Sequence, residues 1–211
     1  AYPLSEFAKI VKEKNYPQEM EVGLIGSCTN SSYEDLARAA SVVAKAKETN
    51  IPVKAKLIIN PGSELVRYTA ERDGLLETFE SVGGVIMANA CGPCIGQWKR
   101  DDIKEGTVNT IVSSFNRNFP RRNDGSAATL SFIGSPETVV AYALFGNLDP
   151  DFTKKPLIFL SVTQIDSDNE SNIRYNVEAI SISRDGFTIK ARTWADSKIF
   201  SMSGYWIAHN P

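Results

Sequence analysis

The rhythm of apolar and polar positions changes once along this chain. Up to about Leu148, short apolar runs alternate with stretches whose apolar residues recur every three to four positions. "EVGLIGS" reads as a buried strand, and "SSYEDLARAASVVAKAKE" after it as a helix with Ser near its N-cap. "VKAKLIIN" is a second strand. "PGSELVRYTAERDGLLETFESV" is a helix broken around Gly74, and "GVIMANA" and "NTIVSSF" are two more short strands. "SPETVVAYALFG" carries Ser135 as cap, Pro136 at the first position and Gly146 at the stop of a late helix. Strand and helix in turn predict an α/β fold, with a mainly parallel sheet flanked by helices.

Beyond "NLDPDFTKKP" the helical period disappears. "PLIFLSVTQID", "NIRYNVEAISIS", "GFTIKARTWA" and "IFSMSGYWIAH" are strand-like and rich in aromatic and β-branched residues. Turn clusters such as "DSDNES" and "SRDG" separate them. These strands predict a partial antiparallel β-sandwich. The boundary falls between Pro150 and Pro156, giving domains 1–153 and 154–211. In that sandwich Trp206 is expected in the core and Trp194 at the surface.

Composition narrows the function classes. The 211 residues suffice for one large or two small cores, and 42% apolar with 23% charged content is that of a globular protein. A net charge of −2 offers no general attraction for nucleic acid or acidic lipid. No apolar run is long enough to span a bilayer. The opening "AYPLSEFAKIVKEK" lacks the apolar core of a secretory signal and the arginines of a transit peptide.

All three cysteines precede the change of pattern, whereas Trp194, Trp206 and the one histidine, His209, follow it. Cys91 and Cys94 form a Cys-x-x-Cys around Gly92 and Pro93. That spacing turns two sulfurs toward one centre and suits zinc, an iron–sulfur cluster or a redox disulfide. Cys28 also follows a strand, and the carboxyl ends of parallel strands are where α/β folds hold ligands. Inert buried thiols are the alternative without chemistry. Downstream, "SFNRNFPRRND" sets Arg117, Arg121 and Arg122 close together, either as carboxylate clamps or as a solvated basic loop.

"VGLIGSCTNSSYEDL", "PGSELVRYTAERDG", "ANACGPCIGQW" and "NTIVSSFNRNFPRRNDG" resemble the aconitase family over almost all of residues 1–148. The resemblance implies that Cys28, Cys91 and Cys94, separated by 63 and then 3 residues, each hold one iron of a [4Fe–4S] cluster. The fourth iron would stay open, a Lewis acid for citrate or isocitrate. By motif position, Asn116, Arg117 and Arg122 would contact substrate or cluster. The serine base and the histidines of the family lie outside this segment, so little turnover is expected of the chain alone. A mitochondrial matrix or cytoplasmic location follows from the same resemblance.

The remainder, residues 156–208, resembles the H-type lectin family. This implies galactose-type glycan binding through Arg174 and Trp194, with Phe200 in a nearby aromatic position, and assembly as a homotrimer. Ala195 stands where some members have histidine, and Ala191 where they have a disulfide cysteine. The family's N-terminal strand is not in place before Pro156. If this half dominated, the setting would be extracellular. A non-catalytic scaffold or chimera is the third reading.

Overall fold

A computed structural model describes residues 2–26, 28–89, 91–149, 156–183 and 186–209. The chain divides into two compact units, Ala1–Pro150 and Asp151–Pro211. The expected domain boundary falls largely on 150–155, outside the described residues.

The first unit runs α1 (Leu4–Glu13), β1 (Val22–Ile25), α2 (Tyr33–Glu48), β2 (Lys56–Ile59), α3 (Glu64–Arg72), α4 (Leu75–Glu80), β3 (Val85–Ile86), β4 (Asn109–Ser113), β5 (Thr129–Ile133) and α5 (Pro136–Phe145). The five strands lie in the order β3-β2-β1-β4-β5, every neighbouring pair parallel. β1 is central and buried throughout, which explains its unbroken apolar run. Val22, Leu24, Ile58, Ile111 and Phe115 form a buried cluster, with Met87, Cys94 and Trp98 packed against it.

Local chemistry starts and stops the helices. Ser32 and Asp35 close a reciprocal capping box on α2. Ser63 accepts from the Val66 N–H at the start of α3, and Ser135 does the same for Thr138 at α5. Gly74, at φ 74°, takes the left-handed conformation that separates α3 from α4. α5 is apolar nearly all round, with Val139, Val140, Ala143 and Leu144 buried.

Two elements had no counterpart in the pattern reading. α1 begins at Pro3 with no side-chain cap, so the usual start signal is missing. It is held by Phe7, whose ring stands edge-on to Phe132 at 5.2 Å and to Tyr142 at 5.9 Å. β5 is a short edge strand whose polar Ser131 interrupts its apolar positions. β3 keeps only two residues of the expected "GVIMANA" strand.

The second unit holds two antiparallel pairs. β6 (Leu157–Ser167) pairs with β9 (Ile199–His209), with register shifts at Val162/Gln164 and Asp166/Ser167. β7 (Tyr175–Ile180) pairs with β8 (Thr188–Thr193). The antiparallel expectation holds, as two two-stranded sheets. Trp206 departs from expectation: it is 52% exposed, edge-on to Phe187. Among the described residues each sheet of this unit has two strands, and Phe187 covers the ring on one side only in part. Trp194 is 50% exposed, as expected.

Candidate metal centre

All five parallel strands of the first unit end on the same edge of the sheet. β1 leads to Cys28, β3 to Cys91 and β4 to Asn116. The order reverses direction at β1, so the crevice between the ends of β1 and β4 is the topological switch point.

Two loops are bolted together there. The buried Ser114 accepts from the Gly26 N–H at 3.0 Å and donates to the Asn30 carbonyl at 2.9 Å. Asn30 Nδ2 donates back to the Ser114 carbonyl at 2.7 Å. Gly26 permits this approach, since a Cβ there would stand 2.9 Å from the Phe115 ring and 3.1 Å from Asn60 Cβ. Asn116 Nδ2 then donates to Thr29 Oγ1 at 3.2 Å, and Thr29 Oγ1 lies 3.9 Å from Cys28 Sγ.

Cys91 and Cys94 bracket one turn of 3₁₀ helix, closed by the Cys94 N–H on the Cys91 carbonyl at 3.0 Å. A second set of bonds ties this turn to the segment after β4. Asn123 Nδ2 donates to the Pro93 carbonyl at 3.3 Å, and the Trp98 N–H to the Asn123 carbonyl at 3.3 Å. Arg122, 3% exposed, donates from Nε to the Cys94 carbonyl at 3.1 Å. Its Nη2 donates to Cys94 Sγ at 2.9 Å and to Asn116 Oδ1 at 3.2 Å, and its Nη1 to the Arg117 carbonyl.

A continuous path therefore runs Cys28–Thr29–Asn116–Arg122–Cys94. All three cysteines are free thiols, Cys28 and Cys91 exposed and Cys94 half-buried against the core. Among the described residues no three His, Cys, Asp or Glu side chains gather tightly enough for a single metal ion. Three thiols without a histidine or carboxylate form a soft donor set, the kind an iron–sulfur cluster takes. The residues present fit that group.

Arg117 is exposed, on the solvent side of the same loop. Ser114, Thr29 and Asn123 escaped the sequence reading. Their only signal was position, as polar residues following apolar strands or cysteines.

In the second unit, Thr193 Oγ1 donates to the Arg174 carbonyl and the Arg174 N–H to Ser197 Oγ, both at 2.8 Å. Arg174 also ion-pairs with Asp196, whose carboxyl is held below its usual range by backbone hydrogen bonding and by that guanidinium. Arg174 and the turn carrying Trp194 are thus brought together. Phe200 is 69% exposed on β9.

The fold is a parallel α/β domain that carries thiols at its strand ends, where folds of this class hold ligands. The chain belongs to the aconitase family (aconitate hydratase), which it matches over residues 4–146. Residues 147–209 match the H-type lectin domain. The mitochondrial aconitate hydratase of Candida albicans is 57% identical over 148 residues, covering 70% of this chain and 19% of that protein. The Saccharomyces cerevisiae enzyme is 55% identical over 148 residues, with the same coverages. A probable mitochondrial aconitate hydratase of Dictyostelium discoideum is 56% identical over 147 residues, again 70% and 19%. The chain spans about a fifth of the length of these relatives.

Proposed function

We propose that the first unit is the cluster-holding part of an aconitate hydratase, with Cys28, Cys91 and Cys94 as the three ligands of a [4Fe–4S] cluster. The observation that carries this reading is the placement of the cysteine loops at the strand ends, with side chains of the segment after β4 hydrogen-bonded to each. When bound, such a cluster supplies an open iron that polarises a hydroxyl and a carboxylate. Arg117, exposed at the rim, suits the bidentate capture of one carboxylate of citrate or isocitrate. Asn116 and Arg122 serve the cluster side, their polar groups turned to the cysteine loops. Dehydration also needs a base against the substrate proton. The chain has one histidine, in the second unit, so isomerisation of citrate and isocitrate belongs to the longer enzyme and little turnover to this segment. The names of the relatives favour the mitochondrial matrix.

The test is anaerobic reconstitution with ferrous iron and sulfide. The expected product is brown, carries about four irons per chain, and loses colour and iron in Cys91→Ser. A wild-type protein that stays colourless and iron-free refutes the reading.

The match over 147–209 and the Arg174–Asp196 pair beside Trp194 favour a second reading for the other unit: a galactose-type glycan site, with trimeric assembly. An indole stacks on the apolar face of such a sugar while the charged pair grips hydroxyls. Retention on a galactose or N-acetylgalactosamine resin is expected, and Trp194→Ala abolishes it. Equal passage of both proteins rejects this site.

A further inference from the structure

The chain carries two Asn-x-Ser triplets, Asn30-Ser31-Ser32 and Asn169-Glu170-Ser171. This is the acceptor pattern for an N-linked glycan, provided the carboxamide stands in an accessible loop. The fold treats the two triplets oppositely. Asn30 is half-buried, and its Nδ2 is committed to the Ser114 carbonyl at 2.7 Å. Ser31 beside it is wholly buried. The Ser32 hydroxyl belongs to the capping box of α2, 2.8 Å from Asp35 Oδ2. Releasing that carboxamide and that hydroxyl together would dismantle the start of α2.

Asn169 stands in the connection between β6 and β7. Asp168 shapes this stretch as an Asx turn, its Oδ1 accepting from the N–H of Glu170 at 3.2 Å and of Ser171 at 2.9 Å. The Asp168 N–H donates to the Lys198 carbonyl at 3.2 Å and fixes the base of the turn. Asn169 and Glu170 are exposed at its tip. Among the described residues no hydrogen bond holds the Asn169 carboxamide. Ser171 Oγ donates to Asp168 Oδ2 at 3.2 Å, a long bond for a hydroxyl, and can rotate off it.

We propose that Asn169 is an N-glycan acceptor displayed by the folded second unit, and that Asn30 is a masked triplet of the same pattern. The co-reactant is a lipid-linked oligosaccharide joined through a diphosphate. Asn169 Nδ2 attacks the anomeric carbon of its first sugar while the bond from that carbon to the diphosphate oxygen breaks. A C–N bond forms, the lipid diphosphate leaves with the electron pair, and the amide loses one proton to a carboxylate of the transferase. Ser171 is the recognition residue, its freed hydroxyl bonding to the transferase. The proposal depends neither on a cluster in the first unit nor on the candidate sugar site at Trp194.

In the test, the folded 211-residue chain is incubated with a purified single-subunit oligosaccharyltransferase and a lipid-linked oligosaccharide. Each triplet is scored by peptide mass before and after enzymatic release of the glycan. Synthetic peptides covering residues 26–36 and 165–175 are run beside it. Both peptides are expected to gain a glycan, because neither has a fold to mask it. The folded chain gains one at Asn169 and none at Asn30. Asn169→Gln and Ser171→Ala lose it entirely, whereas Ser171→Thr keeps it.

An Asn169 left bare in the folded chain while its peptide reacts overturns the proposal. An Asn30 modified in the folded chain as fully as Asn169 overturns it too, as does a 165–175 peptide that stays bare where the 26–36 peptide reacts. Should a variant fail to fold by circular dichroism, the comparison of the two triplets in wild type still decides.

Discussion

Gly96 shows how much of the centre depends on one missing side chain. It lies in the left-handed region at φ 77°, and a Cβ would stand 2.7 Å from the Arg121 carbonyl oxygen. Both facts are backbone facts, so no rotamer change relieves them. Gly96→Ala is expected to destabilise by at least about 1 kcal/mol from the backbone conformation alone. For a chain of this size that lowers the melting temperature by roughly 2–4 °C. It also pushes the Cys94 turn off the segment carrying Arg122, so iron uptake should fall with it. Thermal unfolding by circular dichroism and an iron assay check the two effects. The cysteines themselves were legible from their spacing and context. The polar residues that hold them were not, because a serine such as Ser114 looks like any other until the opposing loop is in place.

Between elements, the clearest electrostatic tie joins the start of α2 to the end of α3. The Tyr33 hydroxyl donates to Asp73 Oδ2 at 2.9 Å, and Arg72 grips the same carboxylate at 2.7 and 2.8 Å. Arg72 first and Tyr33 second lower the Asp73 carboxyl from 3.8 to about 2. A carboxylate with a depressed folded value stabilises fully above its unfolded value, and that contribution is lost as pH falls toward the folded one. The loss therefore falls between about pH 4 and pH 2. The group is solvent-exposed, so the effect is small. Tyr33→Phe should raise the Asp73 titration midpoint and shrink the difference in acid stability between pH 4 and pH 2. Carboxyl carbon NMR titration measures the first, and denaturant melts at the two pH values the second. The serine caps of α2 and α5 were readable from sequence, and Gly74 marked the break between α3 and α4. α1 was hidden because aromatic packing on Phe132 and Tyr142, not a cap, defines it.

For the whole molecule, the hydrophobic period changes near Leu148, and the chain divides into the compact units Ala1–Pro150 and Asp151–Pro211. A period of two signals a strand but not how many layers will cover it, which is why Trp206 was expected inside and lies half outside. The order of the parallel sheet could not be read from the pattern either, since every strand is a similar apolar run. It is the order that places Cys28 and Asn116 on either side of the switch point.

That order also has a history in synthesis. β1 is made before the other strands of its sheet, but Gly23 within it lies under Val139 and Ala143 of α5, the last helix of the unit. More than a hundred residues separate them, on the order of ten seconds of ribosomal elongation. Throughout that interval the nascent strand presents an uncovered greasy face, and a chaperone grip or a pause in translation before residue 146 would decide how much of the polypeptide survives to fold.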